Sequence, residues 1–146
     1  MIPLTSRPWV LSVRQPWAWL LVRGWKNIEN RDRRTNVRGR VLIHACRNEP
    51  GHTQAGWDAC AAFVGDFAPH LRLPHPARLC YGGIVGEVTV LDCVDAHPSE
   101  WFVGRYGYVV DPALSRPLPF LVLPGMPSFF RLPESLCVPP YIQVQQ

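Results

Sequence analysis

Three side chains of complementary chemistry stand within one short polar run, Gly24-Trp25-Lys26-Asn27-Ile28-Glu29-Asn30-Arg31. Lys26 is the only lysine in the chain; every other member of its fifteen Lys and Arg residues is an arginine. The distinction is chemical. An amine is a compact donor that can lose its proton when crowded by other cations, whereas a guanidinium stays charged and presents a planar fork. Lys26, Glu29 and Arg31 together form a donor, acceptor and donor set that matches the edge of a heterocyclic base. Equally, Glu29 could move a proton while Lys26 stabilises developing negative charge. The bland alternative is a salt-bridge ladder at the surface, worth less than about 1 kcal/mol.

Directly after this run come Arg31, Arg33, Arg34, Arg38 and Arg40, a cluster suited to bidentate pairing with phosphates, or else a solvated basic loop. Glu87 lies inside an apolar β-branched stretch, so it either faces water or is buried with a partner, for which Lys26 and Arg31 are the candidates. Glu100 is its rival as a second catalytic carboxylate. His44-x-Cys46 and Cys93-x-Asp95-x-His97 each place side chains on one strand face. Neither is joined by a second close doublet, so no metal site and no cofactor is expected. Phosphate-cradling glycine loops, nucleophile elbows and dinucleotide fingerprints are missing from the sequence, which argues against nucleoside triphosphate chemistry. Of the six tryptophans, Trp9, Trp19 and Trp57 read as core, while Trp17, Trp25 or Trp101 could offer a stacking face to a base.

The elements that must position these groups follow from pattern. Trp9 to Val13 reads as a short strand, closed by the turn Arg14-Gln15-Pro16. Pro16 suits the first position of a helix running from Trp17 to Arg23, and Gly24 supplies the left-handed stop. Arg14, Gln15 and Trp17 therefore stand at the helix entrance and Lys26 beyond its exit. Lys26 to Arg31 reads as extended, so a bulge or turn is needed to bring Lys26 to the side of Glu29 and Arg31. Gly39 to Ala45 and Ile84 to Leu91 read as buried strands, Thr53 to Val64 as a helix on the sheet, and Pro98 to Trp101 as a further helical turn. Strands are expected at Tyr106 to Val110, Leu118 to Val122 and Phe129 to Leu132. The sum is an α+β domain with a mixed, curled sheet of five to seven strands and two or three helices.

Composition bounds the function. At 146 residues the chain has the length of one domain, expected to span residues 1–146, and sixteen prolines imply short elements joined by stiff turns. A net charge of +4 favours polyanionic partners. Five widely spaced cysteines without a CxxC pair point to reduced thiols and a cytoplasmic setting. Neither a signal peptide nor a bilayer-length apolar stretch is seen, so no membrane partner is expected. The arginine- and proline-rich usage is compatible with a GC-rich bacterial genome. Oligomeric state is not legible.

The segments Leu11-Ser12-Val13-Arg14-Gln15-Pro16-Trp17-Ala18, Gly24-x-Lys26-x-x-Glu29-x-Arg31 and Arg38-Gly39-Arg40-Val41-Leu42-Ile43-His44-Ala45 resemble the ASCH domain family in order and spacing. The resemblance implies a PUA-like fold: a small mixed β-barrel with helices flanking a cleft, related to modules that bind RNA or modified bases. It implies binding of RNA, single nucleosides or DNA in a cleft lined by Arg14, Gln15, Trp17, Lys26, Glu29 and Arg31, with Arg33, Arg34, Arg38 and Arg40 drawing in phosphate. Some members of that family are amidohydrolases that deacylate N4-acetylcytidine with a lysine, a threonine three residues later and a glutamate further on; another member is credited with ribonuclease activity. Lys26 matches the lysine, Glu29 stands where the threonine would be, and the further glutamate corresponds to Glu87 or Glu100. The alternatives to a binding module are therefore a hydrolase, an amidohydrolase before a ribonuclease, using Lys26, Glu29 and Glu87, or a non-catalytic protein-interaction module.

Overall fold

The computed structural model describes residues 1–47 and 54–142. Among the described residues nine principal elements follow one another: β1 (Trp9–Val13), α1 (Trp17–Val22), β2 (Ile28–Arg31), β3 (Gly39–Ala45), α2 (Gln54–Phe67), β4 (Gly83–Val94), β5 (Tyr106–Val110), β6 (Arg116–Val122) and β7 (Phe129–Arg131). Single 3-10 turns punctuate the loops at Leu4–Ser6, Pro76–Arg78, Pro112–Leu114 and Glu134–Leu136, each next to or starting with a proline. Thr53, the expected start of α2, lies outside the described residues.

The strands form one seven-stranded sheet in the order β2-β5-β4-β3-β1-β7, with β6 paired to β4 off this path. β1 and β3 run parallel while the other pairs are antiparallel. This mixed α+β sheet agrees with the reading from sequence, but it is not closed into the barrel expected there: β2 and β7 stand at the two ends of the path and do not pair. The long, β-branched β4 acts as the hub, pairing with β3, β5 and β6. It can do so because its register shifts between Val90 and Asp92 on the β5 side and at Val85 on the β3 and β6 sides, and such irregularities curl a sheet.

Two cores flank the sheet. On one side Leu11, Val13, Val41, Ile43, Val88 and Val90 pack under Ala18, Leu21 and Val22 of α1. On the other, Val10, Leu42, Ile84, Phe130 and Leu132 form a second cluster with Tyr141. α1 is short because its signals are close together. The Gln15 Oε1 accepts the Trp19 amide at 2.9 Å at the start, and Gly24 (φ 74°) turns the chain at the end. A Cβ at Gly24 would lie 2.9 Å from the Pro112 carbonyl oxygen, so the position requires glycine for space as well as for its dihedral. α2 docks through Val64, which joins Leu20, Ile28, Ala68 and Trp101 in a third cluster. The Pro98–Trp101 segment forms bends and a turn rather than a helix. Asn27 and Asn30 anchor it: Ser99 Oγ donates to Asn27 Oδ1 at 2.7 Å, and Asn30 Nδ2 donates to the Trp101 carbonyl at 2.9 Å. Among the described residues no helix is long and apolar enough to cross a membrane.

Candidate functional site

A recess of about 1290 Å³ opens between α1, the start of β2, α2 and the segment preceding β7. At its base lies Lys26, only 3 % exposed. The turn that Gly24 permits explains how Lys26 reaches the same side as Glu29. The residue precedes β2, so strand alternation does not apply to it, and its amide is tied back to the Leu20 carbonyl at 3.3 Å. Its Nζ donates to the Ile28 carbonyl and lies 3.6 Å from Glu29 Oε1. The rings of Trp17 and Trp101 face the same Nζ, with centroids at 5.7 and 5.9 Å, and Phe63 of α2 packs edge-on against Trp17 at 5.9 Å. A cation flanked by aromatic faces gains part of what it loses by leaving water.

Glu29 is the hinge of the charge arrangement. Paired across from Tyr108 on β5, it receives Arg31 Nε on Oε2 at 2.9 Å, and Arg31 also donates to the Ser12 carbonyl of β1. One carboxylate thus serves two cations. Burial pushes the Lys26 ammonium below its ordinary pKa; Glu29 opposes that shift and the Arg31 guanidinium adds to it. Tyr108, behind Glu29, is driven the other way, its phenol held above the ordinary range chiefly by burial. The site can therefore present a cation whose proton is unusually easy to remove, next to an acceptor.

The rim carries further charge. Arg14, Arg31, Arg47 and Arg105 line the recess with Lys26, against Glu29 and Asp32. Among the described residues the Arg14 guanidinium has no ion-pair or hydrogen-bond partner, and Arg105 makes only a ring contact, 5.2 Å from the Tyr106 centroid. The facing wall is the segment Pro124 to Ser128. It is pinned by Ser12 Oγ donating to the Met126 carbonyl at 2.8 Å and by His44 Nε2 against the Leu123 carbonyl at 2.5 Å.

The structure brings together Arg14, Trp17, Lys26, Glu29 and Arg31 as the sequence suggested, but it places other candidates elsewhere. Gln15 is turned away, donating to the Cys80 carbonyl at 3.1 Å while it caps α1. Glu87 pairs neither with Lys26 nor with Arg31. Sitting across from Leu42, it takes Arg40 Nε and Arg116 Nε on its two oxygens, outside the recess. The Arg40 guanidinium is further engaged by the Tyr141 and Pro140 carbonyls at 2.7 and 2.9 Å. Glu87 and Arg40 thus form a clasp on the turn at Pro140 and Tyr141, away from the recess, whereas the sequence reading set them in catalysis and in phosphate contact. Arg34 and Arg38 reach Asp95 at 3.4 Å and Asp92 at 3.7 Å, and neither they nor Arg33 line the recess. Glu100 is exposed and likewise outside it.

What the sequence reading missed are Arg47, Arg105, Phe63 and the Pro124–Ser128 wall. Each is isolated along the chain and reaches the site only through topology. His44 and Cys46 do line the recess, yet among the described residues no group of three or more His, Cys, Asp and Glu side chains could hold a metal ion.

The family model described as ASCH domain matches residues 11–109. Activating signal cointegrator 1 of Homo sapiens is 55 % identical over 92 residues, and that of Mus musculus 52 % over the same length. The matched region is 59 % of this chain, and the chain spans only 14 % of the length of these curated relatives. Among solved structures, ASCH from Zymomonas mobilis superposes with a TM-score of 0.54 at 14 % identity, covering 89 % of this chain and 90 % of that one. A mutant of that Zymomonas mobilis protein gives 0.50 at 15 % identity, covering 92 % and 93 %. At such identities the likeness concerns the fold.

Proposed function

Because this chain belongs to the ASCH domain family, a PUA-like family, we propose that its recess binds one unpaired base of a nucleic-acid strand, RNA in the first instance. The observation that carries the reading is the pairing of the Lys26–Glu29–Arg31 set, its amine and carboxylate buried, with aromatic walls and a cationic rim. Trp17 supplies the ring against which a base packs, a contact worth roughly 1–3 kcal/mol per base in single-strand binders. Glu29, Lys26 and Arg31 offer the hydrogen-bonding edge, and Arg14, Arg47 and Arg105 meet the flanking phosphates. Base contacts then specify while phosphate contacts position. Fully solvated cations would suffice for the second task alone. Burying an amine beside a carboxylate costs desolvation, and a site for a polar ring is what makes use of it.

Titration of short single-stranded RNA into the wild type and into Lys26→Met tests this. Salt-sensitive binding that Lys26→Met weakens tenfold or more supports the proposal; binding that ignores the substitution refutes it. A second reading rests on the lowered pKa of Lys26 beside Glu29, which suits proton transfer in hydrolysis. Release of cytidine from N4-acetylcytidine, or cleavage of RNA, lost in Lys26→Met, would favour that hydrolase.

A further inference from the structure

Just outside the recess one aromatic ring carries two guanidinium groups. Arg34 and Arg105 lie 4.7 and 5.2 Å from the ring centroid of Tyr106. The register of the sheet places that ring. Tyr106 pairs with Arg31 as Tyr108 pairs with Glu29, and residues directly opposite in an antiparallel pair leave the same face, so Tyr106 emerges beside the Arg31 that lines the recess. Arg105 belongs to the rim itself. Arg34 comes from the other side, on a loop whose backbone is fixed where the Tyr108 hydroxyl donates to the Arg33 carbonyl at 2.8 Å. The two cations are no more than about 10 Å apart, roughly the screening length at 0.1 M salt, so each feels the other. Carboxylates do little to hold them. Among the described residues Arg105 has no ion-pair partner, and Arg34 reaches only Asp95, at 3.4 Å and with both side chains more than half exposed. The ring is the contact they share.

We propose that Arg34, Tyr106 and Arg105 form a second-nucleotide subsite, which holds the phosphodiester leading out of the recess, so that the ligand is a strand and not a free nucleoside. This rests on the reading of the recess as a base pocket and gives the strand its path across the sheet face. Arg105 and Arg34 are the phosphate donors, one at the rim and one beyond it. Tyr106 is a positioning residue: its ring keeps two like charges side by side on an exposed surface, an arrangement that a polyanion passing between them turns to use. Cations interleaved with aromatic rings along a groove are how single strands are held without regard to sequence.

The test is an NMR titration, over a range of salt, with the ribonucleoside 5′-monophosphates of all common bases and with a single-stranded RNA tetranucleotide containing each base once. For the tetranucleotide, Arg34→Ala is expected to reduce the slope of log affinity against log salt by about 0.7, whereas Arg33→Ala, which removes an exposed cation one residue away, leaves it in place. Mononucleotide binding should be the same in Arg34→Ala as in the wild type. Tyr106→Leu should weaken the tetranucleotide about fivefold or more, and Tyr106→Phe, which keeps the ring, should bind it as the wild type does. An unchanged slope in Arg34→Ala, a reduction that Arg33→Ala reproduces or that the mononucleotides share, or full tetranucleotide affinity in Tyr106→Leu overturns the inference while leaving the base pocket standing. Failure of every mononucleotide and of the tetranucleotide to bind removes the pocket reading and this inference together. Should the mononucleotides alone fail to bind, the contrast between Arg34→Ala and Arg33→Ala on the tetranucleotide decides.

Discussion

Glu29→Gln removes the charge that compensates Lys26 and Arg31 while keeping nearly the same shape. At 3.6 Å, and with an effective dielectric of about 20, the Lys26–Glu29 attraction amounts to about 4–5 kcal/mol. The amide can still accept from Arg31, so the net loss should fall near the low end of what orphaning a buried charge costs, about 3 kcal/mol at pH 7. For a chain of 146 residues that is a drop in melting temperature of roughly 6–12 °C. The pH dependence identifies the cause. Folded Lys26 already releases its proton below the ordinary value of 10.5, so between its folded pKa and 10.5 the unfolded state binds more protons and stability rises with pH. Loss of Glu29 lowers the folded value further and widens this window downward, so the variant should recover stability relative to wild type as pH increases. Denaturant unfolding of both proteins between about pH 7 and 9.5, below the range in which the raised Tyr108 phenol titrates, reads the difference directly. A Glu29→Gln protein as stable as wild type at pH 7, or a deficit that stays constant with pH, would refute the buried-cation reasoning.

Glu87→Gln should also destabilise, by about 1–2 kcal/mol, since it removes the charge shared by Arg40 and Arg116 while Arg116 stays largely in water and Arg40 keeps its two carbonyl partners; RNA binding at a temperature where the variant is folded should be unchanged, because the clasp lies outside the recess. Arg14→Ala and Arg105→Ala should each flatten the dependence of log affinity on log salt by about 0.7 if each meets one phosphate of a single strand, whereas Arg33→Ala and Arg38→Ala should leave the slope in place. For His44 the lowered pKa means that only the unfolded chain takes up a proton just below 6.5, so stability should fall as pH drops through that range, and His44→Gln should lessen the fall in a series of thermal melts.

The parts of this site that were legible in the sequence are those carried by one continuous segment. The motif from Gly24 to Arg31 contains its own turn, its own strand and all three charged groups, and the proline and glycine bounding α1 state their positions through backbone preference alone. β3 and the start of β4 were legible because buried strands show as short apolar β-branched runs. Partner choice was not. Glu87 is equidistant in principle from many arginines, and only the register that sets it across from Leu42 decides for Arg40 and Arg116. The same holds for the rim. The five arginines from Arg31 to Arg40 form a block in the sequence, but Arg34 and Arg38 are met by Asp95 and Asp92 at the far end of β4, while single residues at 14, 47 and 105 arrive at the recess from three separate loops. Closure of a sheet depends likewise on which strands end beside each other, and a list of strands does not contain that information.

A base that enters beside Lys26 and rests on Trp17 is reported by the indole N–H signals of the six tryptophans without mutation. On titrating single-stranded RNA into the protein, the signal of Trp17 should shift progressively and saturably, while those of Trp9, Trp19 and Trp25, which do not line the recess, hold still. An unmoved Trp17 signal at saturating RNA, with shifts gathered instead around Arg38, Arg40 and Arg116, would contradict that placement.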